Sequence, residues 1–170
     1  MTELAITVIG HDRPGIVADV AEALAGVGAN LSDSTMTRLR SHFAMTLICT
    51  GADAGPVEDA LASLTADGRL LATVRRVRPD GEQDATGVPH VLTVHGADRL
   101  GIVAAVTRVL AEAGGNVTDL TTRLTGPLYL VVAEVDLARD ATGVVEARLA
   151  EVAHELSVEV KLRPVETDLL

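Results

Sequence analysis

The stretch Gly10-His11-Asp12-Arg13-Pro14-Gly15-Ile16-Val17 follows an alternating apolar run over residues 4–9 and opens a helical pattern. It returns as Gly96-Ala97-Asp98-Arg99-Leu100-Gly101-Ile102-Val103, at an offset of 86. The same offset pairs Leu24 with Leu110, Gly28 with Gly114, Asn30 with Asn116, Asp33 with Asp119 and Phe43 with Tyr129. A register held over so many positions marks an internal repeat of two equivalent units.

Outward from the first copy, residues 3–10 alternate and predict a strand. Ile16, Val20, Leu24 and Val27 recur at spacings of three and four and predict a helix, which Gly26 and Gly28 stop. Residues 31–37 predict a polar alternating strand, residues 38–42 a turn and residues 43–50 a strongly apolar strand. A second helix is expected over 55–66, with Pro56 near its start, Val57, Leu61 and Leu64 on its inner face and Gly68 after it. A strand over 70–77 closes the unit. The second copy predicts strands over 91–95, 117–124, 128–135 and 158–162, and helices over 102–113 and 144–156.

The order β-α-β-β-α-β is the ferredoxin-like arrangement. The expected class is therefore α+β: two tandem βαββαβ units, each a four-stranded antiparallel sheet with two helices on one face. The expected boundaries are 1–78 for the first domain, 79–88 for a polar linker, 89–165 for the second domain and 166–170 for an acidic tail. Units this small bury a modest core, so they are expected to pack on each other or on a second copy of the chain.

Hydrophobic residues make up 48% of the 170 positions, which supports a packed core and argues against disorder. Phe43 and Tyr129 are the only aromatics, so that core must be aliphatic. The formal net charge of −10 works against direct nucleic-acid binding, which rests on basic neutralisation of phosphates. RNA-recognition domains share this strand order but stack bases on aromatics that are scarce here. Cys49 is the lone cysteine, which excludes an intramolecular disulfide and a Cys-rich zinc site; it reads as a buried, inert thiol. With no signal-peptide pattern and no run able to span a bilayer, a cytoplasmic setting without a membrane is expected.

His11, His42, His90, His95 and His154 show no metal-ligand spacing, and His90 and His95 fall on opposite faces of one strand. Neither metal nor cofactor is expected. There is no Ser/His/Asp or Cys/His set, no arginine-containing phosphate loop and no Asp-x-Asp-x-Thr stretch. No catalytic residue is assigned, and the chain is expected not to be an enzyme.

The repeated motif suits a small zwitterion. Gly15 and Gly101 sit at a helix mouth, where backbone N–H groups lack intrahelical partners and the dipole favours an anion. A ligand carboxylate fits there, since glycine lets it approach the backbone. Asp12 and Asp98 either cap the helix or hold a ligand ammonium. Asn30 and Asn116 are turn residues or ligand contacts that both donate and accept. Gly28 and Gly114 read as helix stops, Arg13 and Arg99 as exposed cations, Phe43 and Tyr129 as core or interface residues.

Asp-Arg-Pro-Gly-Ile-Val after a strand, then Gly-Ala-Asn-Leu-Ser-Asp after the helix, resembles the ACT domain. Two such domains in tandem resemble the glycine cleavage system transcriptional repressor-like family. Residues 33–39 with Phe43-Ala44-Met45 resemble its first domain. Residues 121–124 with Pro127-Leu128-Tyr129 and Glu134-Val135 resemble its second. The resemblance implies a small-molecule site, often for an amino acid, usually between two ACT domains. Carried onto this sequence, it points to Asp12, Arg13, Pro14, Gly15, Ile16, Asn30 and Leu31 in the first copy. In the second it points to Asp98, Arg99, Leu100, Gly101, Ile102, Asn116 and Val117. Leu100 departs from Pro14 and loses the fixed φ of proline, so the two sites need not be equal.

The implied function is a non-enzymatic regulator. It senses an amino acid or related metabolite and acts through protein contacts on a transcription factor of glycine or serine metabolism, as a homodimer. The alternatives are a ligand-independent dimerisation module, and a small enzyme or RNA-binding protein of the same fold.

Overall fold

A computed structural model of the chain describes residues 3–78 and 87–165. The elements are β1 (Glu3–His11), α1 (Ile16–Gly26), β2 (Asn30–Leu39), β3 (His42–Thr50), α2 (Ala54–Thr65) and β4 (Leu70–Val77). They recur as β5 (Val88–Ala97), α3 (Ile102–Glu112), β6 (Asn116–Thr125), β7 (Leu128–Leu137), α4 (Thr142–Leu156) and β8 (Val158–Pro164). The chain divides into two compact units, each with a four-stranded antiparallel sheet, in orders β2-β3-β1-β4 and β6-β7-β5-β8. This is the expected ferredoxin-like α+β fold, twice.

The alternation in β1 puts Leu4, Ile6 and Val8 on one face. Their cross-strand partners Cys49, Leu47 and Met45 share that face. Ile16, Val20 and Leu24 of α1, with Val57 and Leu61 of α2, close over it into one core, so both helices lie on the same side. The second core repeats this with Leu92, Val94, Val131, Ile102, Val106, Leu110, Val145 and Leu149. Burial of each such side chain stabilises by about 1.5–3 kcal/mol. Phe43 is fully buried in the first core, as expected. His90 is the buried polar residue of the second unit, where the first has Leu4. Its Nδ1–H donates to the Val88 carbonyl at 2.7 Å, and its Nε2 lies 3.3 Å from the Thr142 hydroxyl.

Each first helix ends in the same way. Ala29 N–H donates to the Leu24 carbonyl and Gly28 N–H to the Ala25 carbonyl, both at 3.0 Å; Gly115 to Leu110 and Gly114 to Ala111 repeat the pair. This is a Schellman stop, with Gly28 and Gly114 at positive φ. It delivers the chain to Asn30 and Asn116 as the first residues of β2 and β6. Both strands then carry a register shift, at Ser32 and at its repeat equivalent Thr118.

Residues 38–42 do not form the expected five-residue turn. β2 runs on to Leu39 and β3 starts at His42, so only Arg40 and Ser41 connect them. The polar run concealed a strand end because this edge of the sheet is exposed on both faces. β5 likewise starts at Val88, within the stretch read as linker; residues 79–86 of that stretch and the 166–170 tail lie outside the described residues. No helix among the described residues is long and apolar enough to cross a membrane.

Cys49 lies in the first core with no solvent exposure, and burial pushes its thiol pKa up. Native protein is therefore expected to label with a thiol reagent at least about a hundredfold more slowly than denatured protein, because only opening exposes a thiolate. Equal rates in native and denatured buffer would contradict this packing.

Candidate functional site

Residues 12–15 make the whole connection from β1 to α1, and residues 98–101 that from β5 to α3. Gly15 (φ 84°) and Gly101 (φ 90°) stand at the helix N-caps in left-handed conformation. A residue with a Cβ is disfavoured there by roughly 1–2 kcal/mol, which accounts for glycine in both copies. Among the described residues no side chain caps either helix, so the capping alternative for Asp12 and Asp98 is corrected. The glycine occupies the cap position three residues later in the chain.

In the first unit the loop's charges are occupied. The Asp12 carboxylate faces the Arg38 guanidinium at 3.4 Å, and its backbone N–H donates to the Ser41 carbonyl at 3.0 Å. Arg13 donates to Asp19 at 2.6 Å and to the Pro14 carbonyl at 3.3 Å. His11 and His42, opposite one another on β1 and β3, stack with ring centroids 5.2 Å apart.

In the second unit Asp98 and Arg99 make no ion pair among the described residues. A cavity of about 450 Å³ opens beside them, lined by residues 98–104 and Tyr129. Leu100 is fully exposed at its rim. Another cavity, of about 380 Å³, lies at the far end of α3 and holds Asn116 and Val117 with Thr107 and Arg108. A carboxyl held below its usual range occurs at Glu159, through the hydrogen bond and charge of Lys161 and then the charge of His95; it lies outside both cavities. Among the described residues no group of three or more His, Cys, Asp or Glu is placed to hold a metal ion.

The proposed site residues therefore fall into two sets within each unit. Residues 12–16 lie at the start of α1, and Asn30 and Leu31 follow its end; residues 98–102 are separated from Asn116 and Val117 by α3 in the same way. Helices of 11 residues keep the two sets roughly 16 Å apart at 1.5 Å per residue.

A loop, helix, Schellman stop and bulged edge strand thus occur twice in matching register. The ACT domain family profile matches residues 2–74 and 89–163. The chain belongs to the ACT-domain family. A solved structure of an unknown protein from Galdieria sulphuraria is similar over both ACT units, with 31% identity, a TM-score of 0.80, and coverage of 96% of this chain and 98% of that one. The structure of a candidate glycine cleavage system transcriptional repressor is 22% identical over 95% of this chain and 96% of its own, with a TM-score of 0.73; that likeness shows the shared fold. A UPF0237 protein of Methanopyrus kandleri is 50% identical over 48 residues, which are 28% of this chain and 53% of that one. The chain thus matches about half the length of that relative.

Sequence reasoning missed three participants at the ACT loops. Arg38 and Asp19 hold the first loop's charges, and Tyr129 lines the second loop's cavity where Phe43, its repeat partner, is buried. The offset of 86 carried the signal for the first two: it sets Asp19 against Ala105 and Arg38 against Leu124.

Proposed function

We propose that this ACT-domain protein is a non-enzymatic cytoplasmic regulator. It binds an amino acid or a closely related metabolite at the loops before α1 and α3, and passes its state on through protein contacts. The observation that carries this reading is the cavity at residues 98–104 and Tyr129, which joins a carboxylate and a guanidinium without ion-pair partners among the described residues to a helix start that no described side chain caps. Its volume is in the range of small-molecule sites. The charge pair complements a zwitterion, and the free N–H groups of the helix start add donors for a carboxylate.

Residues 98–102 and Asn116 with Val117 lie at opposite ends of α3. A ligand that meets both sets takes one of them from a second chain, which a homodimer supplies. Ligand binding then favours whichever arrangement of chains completes the site, because a ligand shifts only an equilibrium between states it binds unequally. A net charge of −10 supports action on a protein partner, with a transcription factor of glycine or serine metabolism as the proposed one, over direct contact with DNA.

Calorimetric titration of the folded chain with each of the common amino acids tests the reading. Saturable heat with at least one is expected; no heat with any of them overturns it.

A further inference from the structure

We infer that the two ACT units are unequal in a defined way: the second loop takes the ligand more tightly, because the first loop's charges are engaged in its own ion pairs. This rests on the sensor reading above and adds which unit binds more tightly and why.

The units differ at four places that surround the loop. Arg13 is paired with Asp19, but the residue equivalent to Asp19 is Ala105. Asp12 is paired with Arg38, but the residue equivalent to Arg38 is Leu124. The Asp12 N–H is bonded to the Ser41 carbonyl, but no matching bond from the Asp98 N–H to the carbonyl of the equivalent Pro127 is present among the described residues. The stacked rings of His11 and His42 become Ala97 and Leu128. The ion pairs and the Asp12 bond tie the first loop to its own unit, the histidine stack joins the strands at its base, and the second loop has no equivalent of these among the described residues.

A zwitterionic amino acid needs one cation for its carboxylate and one anion for its ammonium. Among the described residues Arg99 and Asp98 have no ion-pair partner, and they lie beside a cavity of about 450 Å³. Arg13 and Asp12 have their charges engaged within the unit, so a ligand binds there only in the fraction of molecules whose pairs are open. Both pairs are partly solvent-exposed and individually weak. They lower the first loop's affinity without removing its capacity, and a matched pair of substitutions should exchange the two behaviours.

The test is calorimetry on the full chain with the twenty free amino acids as probes, with circular dichroism to confirm the fold. The wild type is expected to take up one molecule per chain at the second loop and another roughly tenfold more weakly at the first. Ala105→Asp with Leu124→Arg installs the first unit's pairs in the second and is expected to weaken binding roughly tenfold. Asp19→Ala with Arg38→Leu releases the first loop and is expected to tighten the weaker site roughly tenfold, to match the stronger one. Two equal sites in the wild type overturn the inference. So does undiminished binding at the tighter site of the Ala105→Asp, Leu124→Arg chain, or a weaker site that gains no affinity once the first loop is released. Those results leave the sensor reading standing, whereas a wild type that takes up none of the twenty overturns both.

Discussion

Leu110→Ala is expected to lower the stability of the second ACT unit by about 2–5 kcal/mol. Leu110 is fully buried on α3, packed in the cluster that includes Val94, Val131 and Leu137. Its carbonyl also accepts the Gly115 N–H at 2.8 Å in the helix stop, so the site has little freedom to collapse around a truncated side chain. Small domains hold only about 5–15 kcal/mol in total. The loss should therefore lower the urea midpoint followed by far-ultraviolet circular dichroism by a large fraction. Leu24→Ala, at the same place in the repeat, should act alike on the first unit. A loss below about 1 kcal/mol for either would mean that these helices do not pack on the sheets by the Ile16–Val20–Leu24 and Ile102–Val106–Leu110 stripes.

Gly101→Val is expected to abolish ligand binding at the second loop, with a stability loss of roughly 1–2 kcal/mol. Gly101 has φ 90°, and a Cβ placed on it meets no atom within 4 Å. The stability cost is therefore backbone strain alone, while the new side chain projects into open space at the mouth of the cavity. Gly101→Asn separates the two effects. Asparagine tolerates left-handed backbone, so this variant should recover most of the stability and still obstruct the ligand. Calorimetric titration beside urea denaturation reads both quantities. Full binding by Gly101→Val, in a chain that remains folded, would remove the loop from the site.

The fold was legible because two independent periodicities agree with one repeat. Alternation at Leu4, Ile6 and Val8 gave a strand, three-and-four spacing at Ile16, Val20 and Leu24 gave a helix, and the offset of 86 gave each a duplicate. Legibility failed where no buried face imposes a pattern. β2 is exposed on both faces, so its last residues, Arg38 and Leu39, read as a turn. The loops themselves were legible from Gly15 and Gly101, but their condition was not. Whether Asp12 and Arg13 are free depends on Arg38, which the hairpin brings back along the edge of the sheet, and on Asp19, one turn into α1. Nor does sequence proximity reveal that Asn30 lies a helix length from Gly15. Pro14 against Leu100 was the visible sign of inequality, whereas the charge partners at 19 and 38 are its physical substance.

Amide chemical shifts place a ligand directly, residue by residue. In nitrogen-15 spectra of the full chain, titrated with the amino acid that gives heat, the amides of Gly101, Ile102 and Val103 are expected to shift and saturate. Their midpoint should match that of the calorimetric titration. A chain that stays folded and binds while the amides of residues 98–104 remain unmoved would contradict the account.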